Sequence, residues 1–154
     1  MNSRVAFIIL FFLSIIYCSC NAQPKNASLN LAIATKAISE ANRHYFQAFV
    51  KGDSALFINS YAEDCWIMTS TLTLCGVNAA QDFYTAAYHN KGVRNGKLIT
   101  NELYGNGDQF ITEEGFYQFL DKDNQVLENG TFLAVWEKTK AGWILLRSSF
   151  HNLN

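Results

Sequence analysis

Proline, basic charge and metal-binding motifs are scarce in this sequence. Its one proline is Pro24, so the turns of the folded part must rest on glycine, asparagine and aspartate. Twelve lysines and arginines stand against thirteen aspartates and glutamates, and this balance argues against nucleic acid or an anionic membrane as the partner. The three histidines are scattered, and no phosphate-binding glycine loop or nucleophile elbow occurs. The sequence therefore predicts no metal site and no cofactor.

The pattern of charge and hydrophobicity in residues 1–22 predicts a signal peptide. One positive charge precedes an almost wholly apolar run at residues 5–17, and Ala22 ends a short stretch of small residues. The run is too short for a comfortable membrane span, although a retained anchor is the alternative. Residues 17–20 resemble a bacterial lipobox, so lipidation of Cys20, or less readily of Cys18, is a second interpretation. We expect an exported protein, periplasmic or secreted, that is either cleaved after Ala22 or lipid-anchored.

The next segment predicts a helical half that follows a flexible leader at residues 23–30. From Leu31 onward, apolar residues recur at spacings of three and four, which marks one face of a long helix. Gly52 is placed to end this helix as a C-terminal cap. Asp53 is placed to cap a second, shorter helix, and Asn78 is placed to cap a third.

Four apolar strands joined by tight turns fill residues 97–152. Runs of β-branched and aromatic residues alternate with turn-forming segments, which are residues 105–108, 121–124 and 139–142. A short hairpin from Cys65 to Leu74 precedes this antiparallel meander. The sequence thus predicts one α+β domain at residues 31–154, in which a strongly curved sheet wraps the first helix as a cone with one open end.

Several short motifs follow one another in the order seen in SnoaL-like domains, which belong to the nuclear-transport-factor-two-like, or cystatin-like, superfamily. The residues that carry the resemblance are Gly52-Asp53, Tyr61-Ala62-Glu63-Asp64, Cys75-Gly76, residues 113–117, residues 135–138 and residues 142–147. The sequence is most similar to a branch catalogued as a domain of unknown function, frequent in exported bacterial proteins. The resemblance spans about Ile33 to Asn152. It implies a cone-shaped cystatin-like fold with three N-terminal helices packed on a curved antiparallel sheet, and it implies fold better than activity.

The ketosteroid isomerase branch of this superfamily offers a test of activity. There a tyrosine on the first helix donates a hydrogen bond to the substrate oxyanion, and Tyr45 stands at the matching distance before Asp53. The general base of that branch corresponds to Thr69, whose hydroxyl is far too weak a base near neutral pH. The aspartate and asparagine usual in the last strand are Ser148 and His151 here. The resemblance therefore argues against isomerase chemistry of this type.

Three titratable residues remain as candidate acids or bases: Tyr45, Glu113 and His151. Because side chains alternate along a strand, either Glu113 or Glu114 must point inward or lie at the sheet rim. For Glu113, the alternative to a buried acid or base is an ion pair at the rim. Tyr45 is otherwise a core tyrosine, and His151 is otherwise an exposed residue near a frayed end. An apolar pocket is expected inside the cone. Its predicted lining is Tyr45, Phe49, Trp66, Met68, Tyr117 and Phe119.

Cys65 and Cys75 are the two cysteines left after the signal segment. If the hairpin closes symmetrically around Ser70, these residues lie directly opposite each other, close enough for a disulfide in an oxidising compartment. Two buried free thiols are the equally acceptable alternative.

Two classes of function remain open. The missing base and aspartate favour an exported module that binds a small apolar ligand in the cone, or acts as an accessory domain, without chemistry of its own. The alternative is a small SnoaL-like isomerase, cyclase or hydrolase that uses Tyr45, Glu113 or His151. We also expect a homodimer formed through one broad face of the sheet. The residues expected to supply its apolar surface are Phe116, Gln118, Phe132 and Trp136.

Overall fold

The computed structural model describes the backbone of residues 25–153 and the side chains of residues 29–153. The predicted signal peptide, with Cys18 and Cys20, lies outside the described residues. Along the described chain the order of elements is α1 (Lys25–Lys51), α2 (Ser54–Ile58), β1 (Tyr61–Thr69), β2 (Thr73–Cys75), α3 (Ala79–Thr85) with a π-helical turn (Ala86–Asn90), β3 (Asn95–Gly105), β4 (Phe110–Leu120), β5 (Val126–Thr139) and β6 (Gly142–Asn152). Among residues 25–153, no helix is long and apolar enough to cross a membrane.

The first helix begins at Lys25 and not at Leu31, so residues 25–30, expected to belong to a flexible leader, form its first turns. A contact distant in sequence holds this end of the helix. The side-chain amide of Asn30 donates to the carboxylate of Asp108, in the turn between β3 and β4, at 2.8 Å. Local sequence carries no trace of that partner, which is why periodicity alone placed the start of the helix too late.

Of the two N-terminal caps predicted for the shorter helices, one is confirmed and the other is wrong. Asp53 caps α2 as predicted, because its carboxylate accepts the backbone N–H of Leu56 at 3.0 Å. Asn78 precedes α3, but its side chain makes no capping hydrogen bond, so that prediction is wrong. Its backbone is already in the right-handed helical region, whereas a capping residue needs an extended backbone.

The sheet has the strand order β2-β1-β6-β5-β4-β3 in the described chain. The predicted meander is confirmed, since β3, β4, β5 and β6 pair in sequence as antiparallel neighbours. The expectation of a purely antiparallel sheet is wrong, because β1 pairs with β6 in parallel. The result is a curved mixed sheet that wraps around the helices without closing into a barrel, and the predicted cone-shaped α+β fold is confirmed.

Aromatic rings fill the inside of the cone. Tyr45 on α1 lies 4.8 Å from Phe57 on α2 between ring centroids, and Phe83 on α3 stacks on Phe150 of β6 at 5.8 Å. Tyr117 and Phe119 of β4 pack on each other at 4.8 Å from the sheet side. Burial of so many rings supplies most of the apolar area that holds the helices to the sheet.

The hairpin of β1 and β2 is offset by one residue from the predicted register. Trp66, and not Cys65, lies opposite Cys75. A one-residue offset reverses the face on which a side chain lies, so Cys65 is buried and Cys75 is exposed. Both cysteines are free thiols in the structure, so the disulfide alternative is not formed, and the alternative of two buried thiols holds for Cys65 but not for Cys75.

Candidate functional site

The structure brings together four of the six residues predicted to line a pocket. Tyr45, Phe49, Tyr117 and Phe119 are all buried inside the cone. Trp66 and Met68 are not with them, because Cys65 and Ile67 occupy the inward positions of β1 and alternation turns their neighbours outward. Trp66 is 45% exposed on the outer face of the sheet. The prediction for these two residues is therefore wrong.

Glu113 takes the inward alternative and is closed off from solvent. Its Oε1 accepts hydrogen bonds from the Asn42 amide at 2.7 Å and from the Thr100 hydroxyl at 2.6 Å. Its Oε2 accepts from the indole N–H of Trp136 at 2.8 Å. These bonds tie α1 and β3 to the centre of the sheet. Because the carboxyl is fully buried and both of its oxygens already accept hydrogen bonds, it serves the packing of the domain and has no open side for a substrate.

A chain of hydroxyl groups crosses the interior near α1. The hydroxyl oxygens of Tyr45 and Tyr61 lie 3.2 Å apart, and that of Tyr61 lies 3.3 Å from Ser148 Oγ. Burial raises the pKa of Tyr45 well above its ordinary value, and the neighbouring Tyr61 adds to the increase. Burial likewise raises the pKa of Tyr61. Near neutral pH these groups are therefore neutral hydrogen-bonding partners, and Ser148 supplies no acid where the resembled family usually has aspartate.

His151 lies on the opposite face of the sheet from Tyr45 and Glu113. Its neighbour Phe150 occupies the inward position of β6, so the imidazole faces outward. There it lines an open groove of about 380 Å³ together with Glu114, Phe116 and other outer-face residues. The three candidate acids and bases thus belong to three separate environments, and the structure does not assemble them into one site.

The open end of the cone carries the most site-like arrangement. A small hollow of about 60 Å³ lies between the turn after β1, the π-helical turn and the ends of β4 and β5. Its lining residues are Thr69, Thr71, Leu72, Phe83, Ala86, Ala87, Lys91, Phe119 and Glu128. We call this feature the mouth hollow. Thr69, which stands where the isomerase base would be, uses its hydroxyl in the turn, where it accepts the backbone N–H of Leu72 at 3.0 Å.

A carboxylate forms the rim of the mouth hollow. Glu128 accepts the hydroxyl of Tyr117 through Oε1 at 2.6 Å and the ammonium of Lys91 through Oε2 at 2.6 Å. Burial acts to raise the pKa of Glu128, but Lys91 and Tyr117 outweigh it and hold that pKa below the ordinary value of 4.5. Burial and the adjacent Glu128 raise the pKa of Tyr117, so its phenol stays a donor. The rim thus carries an ionised carboxylate held by a neutral phenol and a lysine.

Glu128 was not among the residues predicted from the sequence. The signal was present, because Glu128 lies two residues before Gly130 and four before Phe132, and all three share the inner face of β5. Gly130 helps to form the rim. A Cβ at this position would collide with the backbone carbonyl oxygen of His151 on β6 and would also lie 2.8 Å from Cε1 of Tyr117, so glycine allows both the close strand pairing and the approach of the ring to Glu128.

The π-helical turn places Lys91 on this rim. Its backbone N–H bonds to the carbonyl of Ala86 at 3.0 Å, five residues back, and Gly92 then turns the chain with a φ of +78°. A second, shallower depression of about 250 Å³ adjoins the mouth hollow and shares Lys91, Phe119 and Glu128 with it. The ion pair of Lys91 and Glu128 therefore stands between two hollows. In residues 25–153, no group of three or more His, Cys, Asp or Glu side chains is placed to hold a metal ion.

Solved structures with the same fold are numerous, although no family model matches this chain. No curated protein matches it either. An NTF-2-like protein of unknown function from Shewanella oneidensis is 16% identical with a TM-score of 0.64, over 76% of this chain and 98% of that one. A protein of unknown function with a cystatin-like fold from Nostoc punctiforme is 15% identical with a TM-score of 0.64, over 79% and 92%. A ketosteroid isomerase-like protein from Erwinia carotovora atroseptica is 17% identical with a TM-score of 0.61, over 77% and 95%.

At these identities the likeness shows the fold alone. The chain has the cystatin-like, or NTF2-like, fold. Proteins with this fold have different activities, so the function must be argued from the side chains at the mouth of the cone.

Proposed function

We propose that this protein is a small-ligand-binding module without chemistry of its own, and that its ligand enters at the mouth hollow. The observation that carries the proposal is the combination of apolar walls with one ionised carboxylate at the rim. Small-molecule sites in proteins are mostly apolar concavities with a few placed polar groups. The hollow is far below the roughly 300 Å³ of a typical ligand site. Binding therefore requires the exposed Lys91 side chain to swing aside, which joins the two hollows.

The catalytic alternative has less support from the geometry. An acid–base mechanism needs its groups within hydrogen-bond reach of one reacting atom. Glu113 is enclosed by its donors, Tyr45 lies within the packed rings, and His151 faces away from the cone. The name of the isomerase-like neighbour describes that protein, and Thr69 in this chain offers no comparable base.

The ligand proposal can be tested by identifying small molecules that co-purify with the protein from its host. Native mass spectrometry should detect a bound molecule on the wild type. Leu72→Trp should abolish it, because Leu72 is half-exposed at the hollow and a larger side chain there blocks the mouth without entering the core. The matched control is Leu29→Trp, which enlarges an exposed leucine on α1 that does not line the hollow. A protein that carries the same molecule in all three forms would contradict the proposal.

We also propose that the protein is exported, on the charge and apolar run of residues 1–22. Mass spectrometry of the mature protein from its host should give an N-terminus at Gln23, or a lipid-modified Cys20. A product that retains Met1 in the cytoplasm would rule out export.

The outer face of the sheet supports the proposal of a homodimer. Ile99, Phe116 and Leu133 are each about half exposed there, and a second copy would cover them. Phe132 and Trp136, also predicted to contribute, are buried on the inner face of β5 and cannot take part. Phe116 remains as predicted, and Gln118 shares its face.

The oligomeric state tests the dimer directly. Sedimentation velocity should show a dimer for the wild type and a monomer for Phe116→Glu. Ile33→Glu is the control, because Ile33 is equally apolar and exposed but lies on α1. A wild-type protein that is monomeric at tens of micromolar would refute the proposal.

A further inference from the structure

The two charges at the mouth of the cone differ in how firmly they are held. The Glu128 side chain is 16% exposed, whereas that of Lys91 is 56% exposed. Tyr117 fixes the carboxylate from the inside, and the ring of Tyr117 is itself packed between Phe119 at 4.8 Å and Phe150 at 5.2 Å. The charge that the fold holds in place is therefore negative, and the lysine is its solvent-exposed counter-ion.

The ion pair can be exchanged at little cost. A pair whose cation is more than half in water contributes little to stability, because solvent screens it and the lysine regains freedom when it leaves. The carboxylate, which is mostly shielded from solvent, loses by contrast a partner that it needs. A second cation that brings apolar surface into the hollow would restore the partner and add contacts that a lysine in solvent cannot make.

The walls of the hollow are mostly apolar, so its preference for a charge comes from the rim. Phe83 and Phe119 line the hollow and offer apolar surface to the body of a ligand. An anionic ligand would have to pull Lys91 away from Glu128 and would then face the carboxylate. A neutral ligand would leave the ion pair in place and gain only the present volume of about 60 Å³.

We infer that the mouth of the cone binds an organic amine, with the protonated nitrogen replacing the Lys91 ammonium on Glu128 and the apolar body lying against Phe83 and Phe119. The inference rests on the proposed ligand-binding function and names the chemical class of that ligand. Tyr117 holds the carboxylate in position and takes no other part.

Calorimetric titration with three matched probes tests this charge preference. The probes are 2-phenylethylamine, 2-phenylethanol and 3-phenylpropanoate, which place a cation, a hydroxyl and an anion on the same apolar body. The wild type should bind the amine at least about tenfold more tightly than the alcohol, which corresponds to one charge-assisted hydrogen bond. The acid should bind most weakly of the three.

Two variants separate the roles of the ion pair. Lys91→Ala should tighten amine binding several-fold, because the competing ammonium is gone. Glu128→Gln should abolish the preference for the amine while it keeps an acceptor for Tyr117. Lys97→Ala is the control, since Lys97 is an exposed lysine of β3 that does not line the mouth hollow, and it should leave all three affinities unchanged.

The outcomes distinguish the inference from the function on which it rests. Equal binding of amine and alcohol, or an amine preference that survives Glu128→Gln, overturns the inference and leaves the ligand site in place. The inference also fails if no probe binds while the host-purified protein carries a neutral or anionic molecule. If no probe binds even Lys91→Ala and nothing co-purifies, the proposed function fails as well.

Discussion

Replacing Glu113 by leucine should destabilise the domain strongly, whereas replacing it by glutamine should not. The carboxyl is fully buried and accepts from Asn42, Thr100 and Trp136. Leucine has a similar size but no acceptor. The Thr100 hydroxyl can turn toward solvent because Thr100 is exposed, whereas the amide of Asn42 and the indole N–H of Trp136 stay buried.

The expected loss follows from those two stranded donors. Each buried donor without a partner costs about 1–3 kcal/mol, so Glu113→Leu should lower the free energy of unfolding by about 2–6 kcal/mol. Glutamine can keep its oxygen toward Trp136 and donate to Thr100. The second N–H of the glutamine can donate to Oδ1 of Asn42 after the side-chain amide of Asn42 has rotated. This oxygen has no hydrogen-bond partner in the structure. We therefore expect a loss of only about 1 kcal/mol for Glu113→Gln.

Thermal and urea unfolding measure this difference. At about 4 °C per kcal/mol for a domain of this size, the leucine variant should melt at least about 8 °C below the wild type. Glu114→Leu is the control, since Glu114 lies on the opposite face of the same strand and should change stability by less than about 1 kcal/mol. If the leucine and glutamine variants of Glu113 melt within about 2 °C of each other, the hydrogen-bonding argument is refuted.

Three further predictions concern packing, thiols and pH. Gly130→Ala should lower the free energy of unfolding by at least about 1–3 kcal/mol, as measured in urea, because the new methyl group collides with the backbone carbonyl oxygen of His151 and also meets the ring of Tyr117. Alkylation of the native protein, mapped by mass spectrometry, should label Cys75 quickly and Cys65 only after unfolding, since Cys65 is buried and burial raises its thiol pKa. The pKa of Glu128 is lowered in the folded state, so its stabilising effect is present above the ordinary value of 4.5 and is lost as pH falls through the folded pKa. Melting temperatures measured from neutral to acidic pH should therefore fall less for Glu128→Gln than for the wild type.

Each of these has a matched comparison. Thr131→Ala removes atoms beside Gly130 and should leave the unfolding midpoint nearly unchanged, so equal effects of the two substitutions would argue against a steric cause. Cys65 labelled in the native state would show that the β1 register described above is wrong. If Glu114→Gln alters the acid melting profile as much as Glu128→Gln does, the effect belongs to net charge and not to the rim.

Alternation along single strands carried most of the correct predictions. In β4 it placed Tyr117 and Phe119 inside and allowed an inward Glu113, as the structure has them. The same rule applied to β5 would have placed Glu128 on the inner face, although this residue near the start of the strand was not among those predicted. The donors around Glu113 could not be predicted, since Asn42 and Trp136 lie 71 and 23 residues away.

The hairpin register shows where local reasoning ends. A turn centred on Ser70 would have paired Cys65 with Cys75. The actual turn runs from Thr69 to Leu72, where the N–H of Thr69 bonds to the carbonyl of Leu72 at 2.7 Å and the Thr69 hydroxyl accepts from the backbone. Moving the centre of the turn by half a residue shifts every cross-strand pair of the hairpin by one residue.

The parallel pairing of β1 with β6 has a consequence for when the domain can fold. During synthesis, residues 61–75 emerge well before residues 142–152, yet within residues 25–153 β6 is the strand that joins β1 and β2 to the meander. The hairpin therefore has no sheet to join until nearly the whole described chain is available. Closing so long a loop makes folding slow and keeps the chain unfolded for longer. This delay would favour the export proposed above, because the chain stays unfolded until its last strand arrives.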